Sequence, residues 1–211
     1  MQYAHSLEVE GAKDPRSLKL RYEKVIPQHT VYLTGSQVKD LLDAASQSRN
    51  KDIRNIIHFL LLTGARKSEA LHAEWNYIDL RNSVWTVPIS KNGMPRYVTL
   101  SIDAKRLLAT LLVRRKREKY VFTNPRTGLP YRCIQHAWEQ VRALAGLNNL
   151  RIHDLRHSFA SSLVNQGVPI YDVQKLLGHQ SIRTTQRYSH LDQSALRASV
   201  SKIDIQYGDK S

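Results

Sequence analysis

His153-Asp154-Leu155-Arg156-His157 opens a segment, 153–166, that reads as helical. On a helix, positions i, i+3 and i+4 share a face, so His153, Arg156 and His157 project together. Three readings stay open at this point. A histidine pair at i, i+4 fits zinc, as in H-E-x-x-H, but here Asp154 stands where Glu belongs, and Arg156 would set a permanent cation beside the metal. Two histidines and an arginine also suit an ordinary, partly exposed helix. The third reading is a phosphate: guanidinium offers a bidentate fork, and imidazole donates or relays a proton near neutral pH.

The segments on either side repeat that chemistry. Downstream, Leu176-Leu177-Gly178-His179-Gln180-Ser181 places a helix stop at Gly178 and His179 at a junction. Tyr188 follows on a helix expected over 182–190, flanked by Arg183 and Arg187. With ten tyrosines in the chain, Tyr188 alone would read as structural. Upstream, Thr63-Gly64-Ala65-Arg66-Lys67-Ser68-Glu69 puts Arg66 where one helix ends and another begins, a place suited to anions, or to an ion pair with Glu69 three residues on. Lys91 lies in the turn Lys91-Asn92-Gly93.

Periodicity gives the frame. Residues 1–30 lack it and contain the breakers Pro15 and Pro27, so they read as an arm or linker. Helices are expected over 34–47, with Thr34 as cap, over 51–63, stopped by Gly64, and over 67–73. Strands are expected at 77–80, 84–89 and 96–100; Asn92-Gly93 is a strong hairpin signal. Helices return at 102–118, 131–145, 153–166, 170–177, 182–190 and 193–202. The fold class is mainly α with a small three-stranded antiparallel sheet, α+β, in one domain over 31–205 that includes a C-terminal tail, before a polar end at 206–211.

The 211 residues carry 32 Lys+Arg against 18 Asp+Glu, a net charge of +14, which points to a polyanionic partner. A hydrophobic content of 41% supplies a core, which excludes a disordered polyelectrolyte. There is no apolar run of membrane-spanning length and no apolar secretory segment at the N-terminus. The single cysteine, Cys133, excludes an internal disulfide framework and a cysteine-rich zinc site. The expectation is a cytoplasmic protein with no membrane association.

Four segments in register, TGARKSEAL, SKNGMPRYVTL, HDLRHSFASSLVNQG and LGHQSIRTTQRYSHL, resemble the tyrosine recombinases, or phage integrases, over about residues 31–192. The resemblance implies the tyrosine recombinase catalytic fold. It implies that Arg66 and Arg156 are the paired arginines, Lys91 the hairpin lysine, His153 and His179 the active-site histidines, and Tyr188 the nucleophile. Glu69 and His157 are expected to orient and support the arginines. The implied reaction is site-specific recombination of double-stranded DNA through a 3′-phosphotyrosine, with no cofactor, metal or ATP. The implied assembly is a monomer in solution that forms a homotetramer on paired DNA sites.

Relatives commonly carry a further DNA-clamping domain that an arm of about thirty residues is too short to form. Two alternatives follow, a natural catalytic-domain-only protein or a fragment cut at the linker; the arm with Pro15 resembles an inter-domain linker, so a fragment is the expectation. Two rival readings share the scaffold. A type IB topoisomerase rejoins the same strand rather than a new one, and a non-catalytic DNA-binding regulator forms no covalent adduct.

Overall fold

The computed structural model describes residues 32–88, 93–114, 118–179, 182–186 and 188. The chain divides into two units, Met1–Thr30 and Val31–Ser211, and every described residue lies in the second. Thr34 caps helix α1 (Gly35–Ser46) in a reciprocal box: its hydroxyl accepts from the Gln37 amide at 3.3 Å, and the Gln37 side chain accepts from the Thr34 amide at 2.9 Å. Helix α2 (Ile53–Thr63) is the centre of the core. Its Ile53, Ile56, Ile57, Phe59 and Leu60 are buried, and it packs on α1, on α4 (Ile102–Arg114) and on α6 (Asp154–Asn165). Each such side chain withdrawn from water contributes about 1.5–3 kcal/mol.

Gly64 ends α2 at φ +60°, a left-handed turn that any other residue would occupy under strain. A β-carbon there would run into the Phe159 ring of α6, so the absence of a side chain also sets how closely the two helices approach. The short α3 (Lys67–Leu71) follows at once. A 3₁₀ turn, Trp75–Tyr77, leads into the antiparallel sheet of β1 (Ile78–Asp79), β2 (Val84–Val87) and β3 (Arg96–Thr99), ordered β1-β2-β3. Trp85 pairs with Val98 and Val87 with Arg96, and these four form the buried face. Trp85 meets Phe59 with ring centroids 5.1 Å apart, which fixes the sheet against α2.

Helix α5 (Gln135–Leu144) packs on α1. Helices α6, α7 (Ile170–Leu177) and α8 (Ile182–Thr185) complete the described domain. Ala160, Val164, Val173, Leu177 and Tyr188 form a second, smaller core cluster there. Among the described residues no helix is long and apolar enough to cross a membrane.

Several expected boundaries move. Helix 51–63 starts at Ile53, after a turn in which Ile53 N–H donates to Asn50 C=O at 3.2 Å and Asp52 N–H to Asn50 Oδ1 at 3.0 Å; the Asp52 side chain makes no capping bond and accepts the Tyr131 hydroxyl at 2.8 Å. The same bond keeps Tyr131 out of the helix expected over 131–145, which begins at Gln135. The helix expected over 102–118 is described to Arg114, and Glu118 is not helical. Beyond it the chain pairs backward, with Trp75 N–H donating to Lys119 C=O at 3.1 Å and Val121 N–H to Ala73 C=O at 2.8 Å.

Strand 77–80 shortens to Ile78–Asp79 because Tyr77 belongs to the 3₁₀ turn, and strand 84–89 ends at Val87 before Pro88, which has no amide hydrogen to donate. Helix 67–73 ends at Leu71, helix 153–166 runs Asp154–Asn165, and the α-helix expected over 182–190 covers Ile182–Thr185. The helix expected over 193–202, the tail and the arm lie outside the described residues.

Candidate active site

Glu69 is the first organiser. It sits on α3 with its side chain 5% exposed, and it receives two guanidinium groups. Oε1 accepts from Arg66 Nη1 at 2.8 Å and from Arg96 Nε at 3.2 Å. Oε2 accepts from the Arg66 amide at 2.9 Å and from Arg96 Nη2 at 2.7 Å. Burial alone would raise the Glu69 carboxyl, but the bonds and charges of Arg96 and then of Arg66 outweigh it and hold the group below its ordinary value. Arg66 keeps 21% of its side chain open to solvent, so it is tethered and still reachable.

Arg156 enters from the first turn of α6 and is 3% exposed. Its Nη1 donates to the Gly64 carbonyl and its Nη2 to the Leu177 carbonyl, each at 2.7 Å. These are C-terminal carbonyls of α2 and α7, which carry the partial negative charge of helix ends. Burial, then the nearby Arg66 and Arg96 charges, push the Arg156 guanidinium down to about 10, against the opposing influence of Glu69 and Tyr188. At neutral pH it remains charged. Arg66, Arg96 and Arg156 thus gather around one carboxylate, a local cationic excess suited to an anion.

Tyr188 is buried, 1% exposed, and packs with α6 and α7. Its hydroxyl is hydrogen-bonded to His157 Nδ1. His153, exposed at the head of α6, meets the His157 ring edge-on with centroids 5.0 Å apart. His179 follows Gly178, which ends α7 at φ +65°, and His179 Nδ1 lies 2.8 Å from Thr185 Oγ1. Thr185 is fully buried on α8, three residues before Tyr188.

The structure therefore brings Arg66, Glu69 and Arg156 into one charged cluster, with His157 and Tyr188 in contact beside it. His157, expected to support the arginines, is hydrogen-bonded to the Tyr188 hydroxyl. Lys91 lies outside the described residues, as do the side chains of Arg183 and Arg187. Arg96 and Thr185 were missed. Arg96 stands within SKNGMPRYVTL, but its partner Glu69 is 27 residues away, and nothing local marks it as buried. Thr185 offered no signal beyond its place before Tyr188. Among the described residues, no group of three or more His, Cys, Asp or Glu side chains is placed to hold a metal ion.

The chain matches the family model described as the Phage integrase family over residues 31–195. It is 35% identical over 161 residues to tyrosine recombinase XerA of Saccharolobus solfataricus, covering 76% of this chain and 52% of that protein. Its structure is similar to the catalytic domain of bacteriophage HP1 integrase, with TM-score 0.67, 26% identity and coverage of 85% of this chain and 99% of that one. It is also similar to XerH site-specific recombinase bound to a palindromic difH substrate in a post-cleavage complex, with TM-score 0.63, 25% identity, and 82% and 53% coverage. The chain spans about half the length of the curated relatives it matches. A match across the whole described domain, joined to the same mainly helical fold with its small sheet, shows that this chain belongs to the phage integrase family, the tyrosine recombinases.

Proposed function

We propose that this chain carries the catalytic domain of a site-specific recombinase of double-stranded DNA, with Tyr188 as its nucleophile. The observation that supports this most is the guanidinium cluster around Glu69, with Arg156 one residue before the histidine that holds the Tyr188 hydroxyl. In the reaction the Tyr188 oxygen attacks a DNA phosphorus. An O–P bond forms to tyrosine as the bond to the 5′-oxygen breaks, leaving a 3′-phosphotyrosine and a 5′-hydroxyl. A 5′-hydroxyl of another strand then attacks that link and releases the tyrosine.

Arg66 and Arg156 hold the non-bridging oxygens and stabilise the charge of the pentacoordinate state, since phosphoryl transfer depends chiefly on positioning and electrostatics. With cations in this role, neither metal nor ATP is required. The exposed His153 accepts the tyrosine proton, Lys91 supplies one to the leaving 5′-oxygen, and His179 donates a hydrogen bond to the phosphate. His157 keeps the hydroxyl in its buried position before DNA engages. The protein acts in the cytoplasm, as a monomer until it assembles as a tetramer on paired sites through its C-terminal tail.

Covalent selection from a pool of nicked duplexes of random sequence tests the proposal. Wild-type protein should become covalently attached to a recoverable subset of duplexes. Tyr188→Phe should form no adduct yet bind the recovered duplex as before. An adduct that survives this change would place the nucleophile elsewhere. Rejoining only to the original strand would favour a topoisomerase.

A further inference from the structure

The reaction above assigns no task to Arg96, yet Arg96 is 9% exposed and permanently charged. Val98, two residues on, shows what the same buried face of β3 accepts without any charge to compensate. Removing a guanidinium from water is costly, and it is tolerated only with matched partners. Arg96 has them in an unusual concentration. A carboxylate presents about four acceptor positions, and at Glu69 all four are filled, two by Arg66 and two by Arg96. Half of what orients Glu69 therefore comes from β3. The third nitrogen, Nη1, reaches the Leu176 carbonyl at 3.5 Å, next to the Leu177 carbonyl that takes Arg156. Gly178 makes room for this arrangement: a β-carbon there would lie 3.0 Å from Arg96 Cδ.

We propose that Arg96 is a positioning residue for strand cleavage: it locks Glu69, and through it Arg66, while bracing the end of α7 that receives Arg156 and leads to His179. This rests on the recombinase reading above. It adds a third arginine that touches no phosphate and sets the geometry of the two that do. Lysine cannot replace it, because one ammonium cannot make two parallel bonds to a carboxylate and a third to a carbonyl on another helix.

The test uses a duplex recovered by the covalent selection, with single-turnover cleavage measured at saturating DNA. Arg96→Lys should slow cleavage roughly 10–100-fold, the scale of a misplaced reacting group, with non-covalent affinity unchanged. The loss should combine with that of Arg66→Lys to less than the product of the two, because the Glu69 route ends on the Arg66 guanidinium and only the α7 route is independent of it. Arg96→Gln, which keeps one donor toward Glu69, is measured in parallel, and melting is followed for both variants so that a folding defect is seen as such. Cleavage by Arg96→Lys at the wild-type rate overturns the inference. So do losses that multiply in full, or a loss confined to affinity or melting temperature. A wild-type protein that captures no duplex brings down the recombinase reading, and this inference with it. A wild-type adduct beside an indifferent Arg96→Lys brings down the inference alone.

Discussion

Glu69 shares its carboxylate between Arg66 and Arg96, and its response to pH follows from that sharing. In the folded protein the group is held below the ordinary glutamate value of 4.5, which it regains on unfolding. The unfolded chain therefore binds the proton more tightly. The stabilisation is fully present above pH 4.5 and is lost as pH falls through the lower folded value. Glu69→Gln leaves Arg96 buried without its counter-charge, a change that typically costs about 3–5 kcal/mol. It should also remove part of the acid dependence. Urea unfolding over a pH series should show the variant weaker at pH 7 and less steeply destabilised than wild type below pH 4.5. Equal acid slopes would mean that Glu69 is not ionised as described.

At the scale of elements, Gly64 joins helix geometry to site chemistry. It ends α2 in the left-handed region, admits Phe159 against its α-carbon, and offers its carbonyl to Arg156 at 2.7 Å. Gly64→Ala places a β-carbon in both a strained backbone and an occupied space. A loss of about 1–3 kcal/mol is expected from the backbone alone. Denaturation should register that loss, and covalent trapping on DNA should show a further fall as the Arg156 anchor moves. A variant with wild-type stability would mean that α2 and α6 can part at little cost.

This glycine was legible as a helix stop because its signal is local, as were the Thr34 cap and the apolar stripe of α2. The start of α5 was not, since the Asp52–Tyr131 bond that delays it joins residues 79 apart. Arg96 escaped for the same reason. In β3 the two-residue period sets Arg96 and Val98 on one face, with Tyr97 on the other 70% exposed, so charge and ring alone suggest the opposite orientation. Only the distant Glu69 explains it. The order of the site's segments, by contrast, could be read directly, because residue types at fixed intervals carry it.

Over the whole molecule, acidic side chains are too few to neutralise the basic ones. Described pairs such as Lys39–Asp43, Arg106–Asp103 and Arg151–Asp154 already use carboxylates, and 32 Lys+Arg against 18 Asp+Glu leaves +14. That surplus has little to do with stability, since solvent screens charges at the surface and exposed pairs contribute little. Its consequence is for binding. Each Lys or Arg that meets a DNA phosphate releases a condensed counterion, so affinity falls as a power of salt concentration. If roughly six to ten phosphates are neutralised, raising salt from about 50 to 200 mM should weaken binding by roughly 10³–10⁵-fold. The site cluster is only a small part of that total, because Arg66 and Arg156 are two cations among many. Arg66→Ala should therefore shift the logarithmic salt slope by no more than about one phosphate's share while sharply reducing covalent trapping. Filter binding across a salt series, run beside the adduct assay on the same duplex, separates the two quantities. A slope that collapses with Arg66 would mean that the chain holds DNA at the site alone, and that the basic surface elsewhere serves only solubility.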